Sequence, residues 1–321
     1  MKIAFTPAIY EHAARFAGRT PWEVSRDPEL LFEGHRGAWL EYRHTPVCVG
    51  IDIYNLEAEA YGAVILRPTG EGIPAIQEPL CADLDQALAV RPFDPTVAGR
   101  IPLVLAVGRR LHKELPDADI RIPVAGPFSI AFNLCGINNL CEYAATRPQE
   151  VARLLMHLAD HQAAFCRAVA AAGLDIAFFE SAAAPPMLSP AQFHELELPA
   201  LRRILALAAD CIGHPVPCIM GGHTVLVVDD LLATGTRYLV CNVETDQAAF
   251  LRRVAQTHPH VRVRVNMDPA IVAGQDLQRI HREVDRVLAL SALHSNCVMG
   301  TGALPYETPP ENIHLIQQYI A

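Results

Sequence analysis

The chain has 321 residues, 51% of them hydrophobic and 19% charged, with a net charge of −9 and a pI near 5.8. That apolar share fills the core of a globular protein, read most simply as one domain over residues 1–321. The acidic balance supplies no Lys/Arg stripe to replace counterions along a nucleic acid, and no run of 18 or more apolar residues marks a membrane span, so neither partner is expected. The N-terminus lacks the apolar core of a signal peptide, and nine cysteines without a CxxC pair read as reduced thiols. The expected location is cytoplasmic.

In chain order, residues 7–17 and 27–42 carry apolar side chains at helical spacing and read, within residues 1–45, as an N-terminal helical cap packed by Trp22, Trp39 and Tyr42. Residues 47–53 read as the first strand. Glu57 and Glu59 follow it in a first helical turn, where carboxylates favour the positive end of the helix dipole. Residues 63–102 are rich in Pro and Gly and read as a hairpin and excursion that lids a site. A helix over 101–115, a strand over 120–124, a Gly126-Pro127 turn into a further helix, and a long helix over 148–172 closed by Gly173 come next.

The second half is more regular. Strands are expected at 175–179, 216–220, 238–244, 261–265 and 297–299, with helices between them. Ser189-Pro190 and Asp246 mark helix starts, and the last helix begins after Thr308. Seven strands are visible and one is unplaced. The alternation points to an α/β fold, a (β/α)8 TIM barrel with added N-terminal helices and a lid-like excursion, and a doubly wound open sheet is the alternative. Gly221-Gly222 alone is no dinucleotide fingerprint, so no nucleotide cofactor is expected.

Polar residues just past the strand ends are the candidates for chemistry, because ligands bind there in parallel α/β folds. Asp52, Glu180, Glu244, Asp246 and Asp268 stand at such positions, with His223 the only histidine and no Lys or Arg among them. The expectation is an acidic mouth suited to a cation or a divalent metal, with His223, Glu180, Glu244 and Asp268 as ligands. Asp246 and Asp268 read first as caps of the helices that follow them. His223, Glu180 and Glu244 are the catalytic candidates. Asp52, Asn266, Thr301 and Tyr306 are the substrate-binding ones.

The run Val124-Ala125-Gly126-Pro127-Phe128-Ser129, the Leu188-Ser189-Pro190 helix start, the Asn266-Met267-Asp268-Pro269 turn and Thr308-Pro309-Pro310-Glu311-Asn312 occur in an order and spacing that resembles one family. It is that of uroporphyrinogen decarboxylase together with the corrinoid-dependent methyltransferases. The resemblance implies a (β/α)8 barrel with its site at the strand C-termini. The decarboxylase branch has an N-terminal arginine cluster for substrate carboxylates, and Arg15, Arg19, Arg36 and Arg43 are too dispersed to match it. The methyltransferase branch binds zinc through His-x-Cys and a later Cys, where this chain has Ile219, Gly221 and Gly302. Residues 49–60 and Glu244 lean toward the methyltransferase branch. The expected activity is therefore corrinoid-linked methyl transfer with an altered metal site. Decarboxylation of uroporphyrinogen or another carboxylated substrate is the alternative, and a non-catalytic binding protein the second. A small-molecule substrate, a corrinoid protein partner and a homodimer accompany that reading.

Overall fold

The computed structural model describes residues 3–321; Met1 and Lys2, which open the expected N-terminal cap, lie outside the described residues. The strands are β1 (Phe5–Ala8), β2 (Val47–Cys48), β3 (Ile65–Leu66), β4 (Ala75–Ile76), β5 (Ile120–Ala125), β6 (Asp175–Glu180), β7 (Cys218–Met220), β8 (Tyr238–Cys241), β9 (Arg262–Met267) and β10 (Cys297–Ala303). Eight of them form one parallel sheet in the order β1-β10-β9-β8-β7-β6-β5-β2, while β3 and β4 make a separate antiparallel pair. Read as a ring, that order is the chain order, the topology of a TIM-barrel-like α/β fold.

Among the described residues no ladder joins β1 to β2. The sheet nevertheless curls on itself: Ala8 of β1 and Cys48 of β2 share one apolar cluster with Ala177 and Phe179 of β6, from the middle of the sheet. Outside the curl, helices bury their apolar stripes against the strands, as the helix Pro148–Ala171 does with Leu154, Leu158 and Phe165. In β9, Val263, Val265 and Met267 are fully buried in that outer core. Period-two alternation turns Arg264 and Asn266 to the inner face.

The unplaced eighth strand is β1, inside the segment expected to be helical from residue 7. Its ladder runs on one side only, to β10, and shifts register between Thr6 and Ala8. Pro7, which has no N–H to donate, is tolerated there because nothing pairs with the other side. The helical turns begin later, at Glu11–Ala17, followed by Pro28–Tyr42 under an Asp27 cap. β2 is shorter than expected because Gly50, at φ 147°, turns the chain before Ile53–Asn55. The 63–102 stretch holds the β3–β4 hairpin and a short helix, Leu84–Leu88. No helix among the described residues is long and apolar enough to cross a membrane.

Candidate active site

A cavity of about 110 Å3 opens at the strand C-termini, lined by Tyr10, Tyr54, Ser181, Asn242, Arg264 and Asn266 among others. These groups come from five strands or the loops after them, with Arg264 and Asn266 both on β9, the arrangement by which such barrels assemble sites. A second cavity of about 120 Å3 lies at the opposite, N-terminal end of the barrel, and Arg264 lines both. A larger hollow of about 400 Å3 sits among Asp119, Asp175 and His214, near the strand N-termini, the end that carries stability in this architecture.

Arg264 is the one cation in the mouth, and no carboxylate lines it. Its side chain is 5% exposed, and its Nε is buried without a hydrogen-bond partner. A Cβ on Gly300 would lie 2.6 Å from Arg264 Cγ, so the stem runs over the space that glycine leaves. Gly300 is paired with Asn266, two residues nearer the mouth than Arg264 itself, so the side chain climbs toward the C-terminal opening. Beside it, Asn266 Nδ2 donates to Asn242 Oδ1 at 2.7 Å, and Asn242 Nδ2 donates to the Met220 carbonyl at 2.5 Å. This chain fixes both amides and leaves Asn266 Oδ1 as a buried acceptor with no partner. Burial pushes the Tyr10 phenol well above its ordinary range, so its hydroxyl stays a donor.

The expected acidic mouth is not what the fold builds. Asp52 is 1% exposed and chelates the buried Arg100 guanidinium at 2.6 and 2.7 Å. Glu180 is fully buried; it accepts from the Phe128 and Ser129 amides at 3.1 and 2.9 Å and from Ser129 Oγ at 2.6 Å, anchoring the N-terminus of the helix Pro127–Cys135. Gly126 makes room for it, since a Cβ there would lie 2.6 Å from the carboxyl carbon. Glu197, buried on the π-helical turn Phe193–Glu197, faces Glu180, and burial with that neighbouring charge raises its pKa. Asp246 and Asp268 cap helices through the Ala249 and Ala270 amides.

The remaining candidates fall as follows. His223 and Glu244 are exposed and lie outside the cavity lining. Thr301 Oγ accepts from the Ala8 amide at 3.1 Å and stitches β10 to β1. Tyr306 packs half-buried against the outer core. Asn266 does line the mouth. The structure does not gather His223, Glu180, Glu244 and Asp268, and no three His, Cys, Asp or Glu side chains among the described residues form a metal-holding group. The cause is local: Glu180 and Asp268 are taken up by helix N-termini. Arg264 lies inside β9 rather than past its end, while Tyr10, Tyr54 and Asn242 stand past strand ends without the charge that marks the acids as candidates. The alternation Val263-Arg264-Val265-Asn266 is the signal that places Arg264 beside Asn266.

A family model described as uroporphyrinogen decarboxylase (URO-D) matches residues 4–320. The chain belongs to the uroporphyrinogen decarboxylase family. Its fold is similar to that of a solved methyltransferase from Methanosarcina mazei, with a TM-score of 0.80 and 18% identity over 99% of this chain and 93% of that one. A curated relative, the methylated-thiol–coenzyme M methyltransferase of Methanosarcina mazei, is 30% identical over 108 residues. The match spans 33% of this chain and 29% of that relative's length.

Within this family, the zinc-ligand positions implied by the methyltransferase resemblance fall on Ile219, Gly221 and Gly302. All three line the mouth, and none has a side-chain donor atom. Cys218 is fully buried on the opposite face of β7, and Cys297 stands at the first residue of β10, the far end of that strand. The donor set does not fit a zinc ion there. The decarboxylase-type arginine cluster is likewise not assembled: Arg36 pairs with Glu33 on the surface, and Arg43 lies over the Trp39 ring.

Proposed function

We propose that this member of the uroporphyrinogen decarboxylase family transfers a methyl group between a corrinoid carried by a partner protein and a small nucleophile seated in the barrel mouth. The observation that carries this reading is the size and charge of the mouth: about 110 Å3 with a single arginine. A polycarboxylated tetrapyrrole needs several cations and a wider bowl, since even drug-sized ligands occupy roughly 300–1,000 Å3. The similarity to methyltransferases supports the same choice. A methylated corrinoid would supply an electrophilic methyl group. The chain's own part is to seat the nucleophile against Tyr10, Asn242, Asn266 and Arg264, and to accept its proton at the rim, where we assign His223. To the β3–β4 hairpin, tied to the turn after β2 by Asn55 Nδ2 donating to the Pro74 carbonyl at 2.7 Å, we assign the part of a lid.

Two assays on the purified chain test this. One follows methyl loss from methylcobalamin across a panel of thiols and amines; the other follows carbon dioxide release from uroporphyrinogen. Methyl transfer to at least one nucleophile, with no decarboxylation, is the expected result. Decarboxylation at enzymatic rates without corrinoid turnover would reverse the assignment.

A further inference from the structure

We propose that the floor of the barrel, at the strand N-termini, holds a second binding site, one that takes a compact phosphate-class anion: inorganic phosphate, pyrophosphate or the phosphate group of a small ester. The site lies at the end opposite the mouth and does not depend on the reaction proposed there.

A hollow of about 270 Å3 at that end is lined by Arg121, Arg237, Arg262, His214 and His260, and no carboxylate lines it. In a chain with 26 Lys and Arg against 35 Asp and Glu, that lining inverts the charge of the whole. A concavity walled by one sign of charge concentrates the opposite ion. The topology builds the cluster. Tyr238 and Arg262 open β8 and β9 and are paired, and the Arg262 amide donates to the Arg237 carbonyl at 2.9 Å, so two adjacent strand starts bring both arginines to one rim. Arg121 arrives from β5, already aimed, with its Nε donating to the Asp119 carboxylate at 2.9 and 3.0 Å and its guanidinium 3.5 Å from Asp175. Those adjoining acids are thereby committed, Asp175 also lying 3.4 Å from His214 Nε2. Arg237 and Arg262 are the contrast: neither has a carboxylate partner among the described residues, and Arg262 Nε donates only to the neutral Asn296 Oδ1, at 3.3 Å. Two unmatched guanidinia on one rim suit a dianion, and their planar forks fit phosphate oxygens two at a time. The space continues inward, because the cavity of about 120 Å3 inside the barrel shares Arg121, Tyr238 and Arg262 with this hollow. Along β9, roughly 13 Å of strand separates Arg262 from Asn266 at the mouth, so the two sites are distinct.

The test is calorimetric binding to the full chain at constant ionic strength, with inorganic phosphate, pyrophosphate and methyl phosphate as probes and with acetate and a short single-stranded oligodeoxythymidine as comparisons. At least one phosphate probe should bind about tenfold or more tighter than acetate, and the order among the three names the source of the phosphate. Arg237→Gln and Arg262→Gln should each weaken that binding roughly tenfold, the loss of a charged hydrogen bond. Both side chains are exposed and unpaired with acids, so both variants should melt at the wild-type temperature or above it. Arg262→Lys keeps the charge and loses the fork, so it should fall between wild type and Arg262→Gln, and it carries the test if a glutamine variant does not fold. Arg19→Gln removes the same charge from the surface outside the hollow and should bind as wild type does. No phosphate binding, acetate held as tightly as phosphate, binding that survives in both glutamine variants, an equal loss in Arg19→Gln, or a tighter hold on the oligonucleotide than on every phosphate probe would overturn the proposal. Because the readout is binding at the floor, its failure leaves the methyl-transfer reading standing, and failure of methyl transfer leaves this site standing.

Discussion

Asp52 and Arg100 meet from 48 positions apart in the sequence, and nothing local in either stretch announces the pairing. Asp52 stands past a strand end and so has the look of a ligand; its partner arrives at the start of the helix Ile101–Glu114, after the 63–102 excursion. Removing Asp52 takes two charged hydrogen bonds from the buried Arg100 but leaves it Glu59, so Asp52→Ala is expected to cost about 1.5–3 kcal/mol in urea unfolding, with Asp52→Asn milder. A loss below about 1 kcal/mol would show that Arg100 finds another partner. His223 makes the opposite case. It is exposed and its ring bonds nothing among the described residues, so His223→Ala should leave Tm unchanged while lowering methyl-transfer kcat about 100-fold. Wild-type kcat in that variant would remove His223 from the chemistry.

Helix ends explain two of the site residues that the sequence suggested and the fold used otherwise, Glu180 and Asp268. An acid just past a parallel strand is also an acid just before the next helix, and both roles look the same in one sequence. Asp268 caps the helix that follows it, whereas Glu180 is drawn to the N-terminus of the helix after the neighbouring strand β5, where Gly126 opens space for it. Glu57 extends the theme. Its Oε1 accepts from the Ala125 amide and from Gln162, its Oε2 has no partner, and burial raises its pKa to about 7. The folded chain therefore keeps a proton that the unfolded chain, with a pKa near 4.5, releases. Stability from this group is fully present below about pH 4.5 and is lost as pH rises through about 7. Buried His12 and His35, held down to about 4, act in the opposite sense and lose stability as pH falls below about 6.5. The test is thus a difference: the advantage of wild type over Glu57→Gln should shrink by up to about 3 kcal/mol between pH 4.5 and 7. A difference that is flat across that window contradicts the account.

At the scale of the molecule, the alternation of elements was legible, and so was the family, because the Gly126-Pro127 turn, the Ser189-Pro190 start and the Asn266–Pro269 turn are local patterns at fixed separations. The eighth strand was not legible. β1 is four residues long and interrupted by Pro7, and only its pairing with β10, almost 300 positions away, makes it a strand. The inner face was hidden for the same reason: a charged residue within a strand reads as a solvated position until the sheet curls and turns it inward. That curl converts an expected acidic mouth into one with a lone arginine, and the account of function rests on it. The most direct test is kcat/KM for methyl transfer from methylcobalamin to a small thiol or amine, in wild type and in Arg264→Gln. Turnover by wild type and a loss of at least about tenfold in the variant are expected, with both chains folded. Equal turnover in the two chains, or turnover in neither alongside carbon dioxide release from uroporphyrinogen, would contradict that expectation.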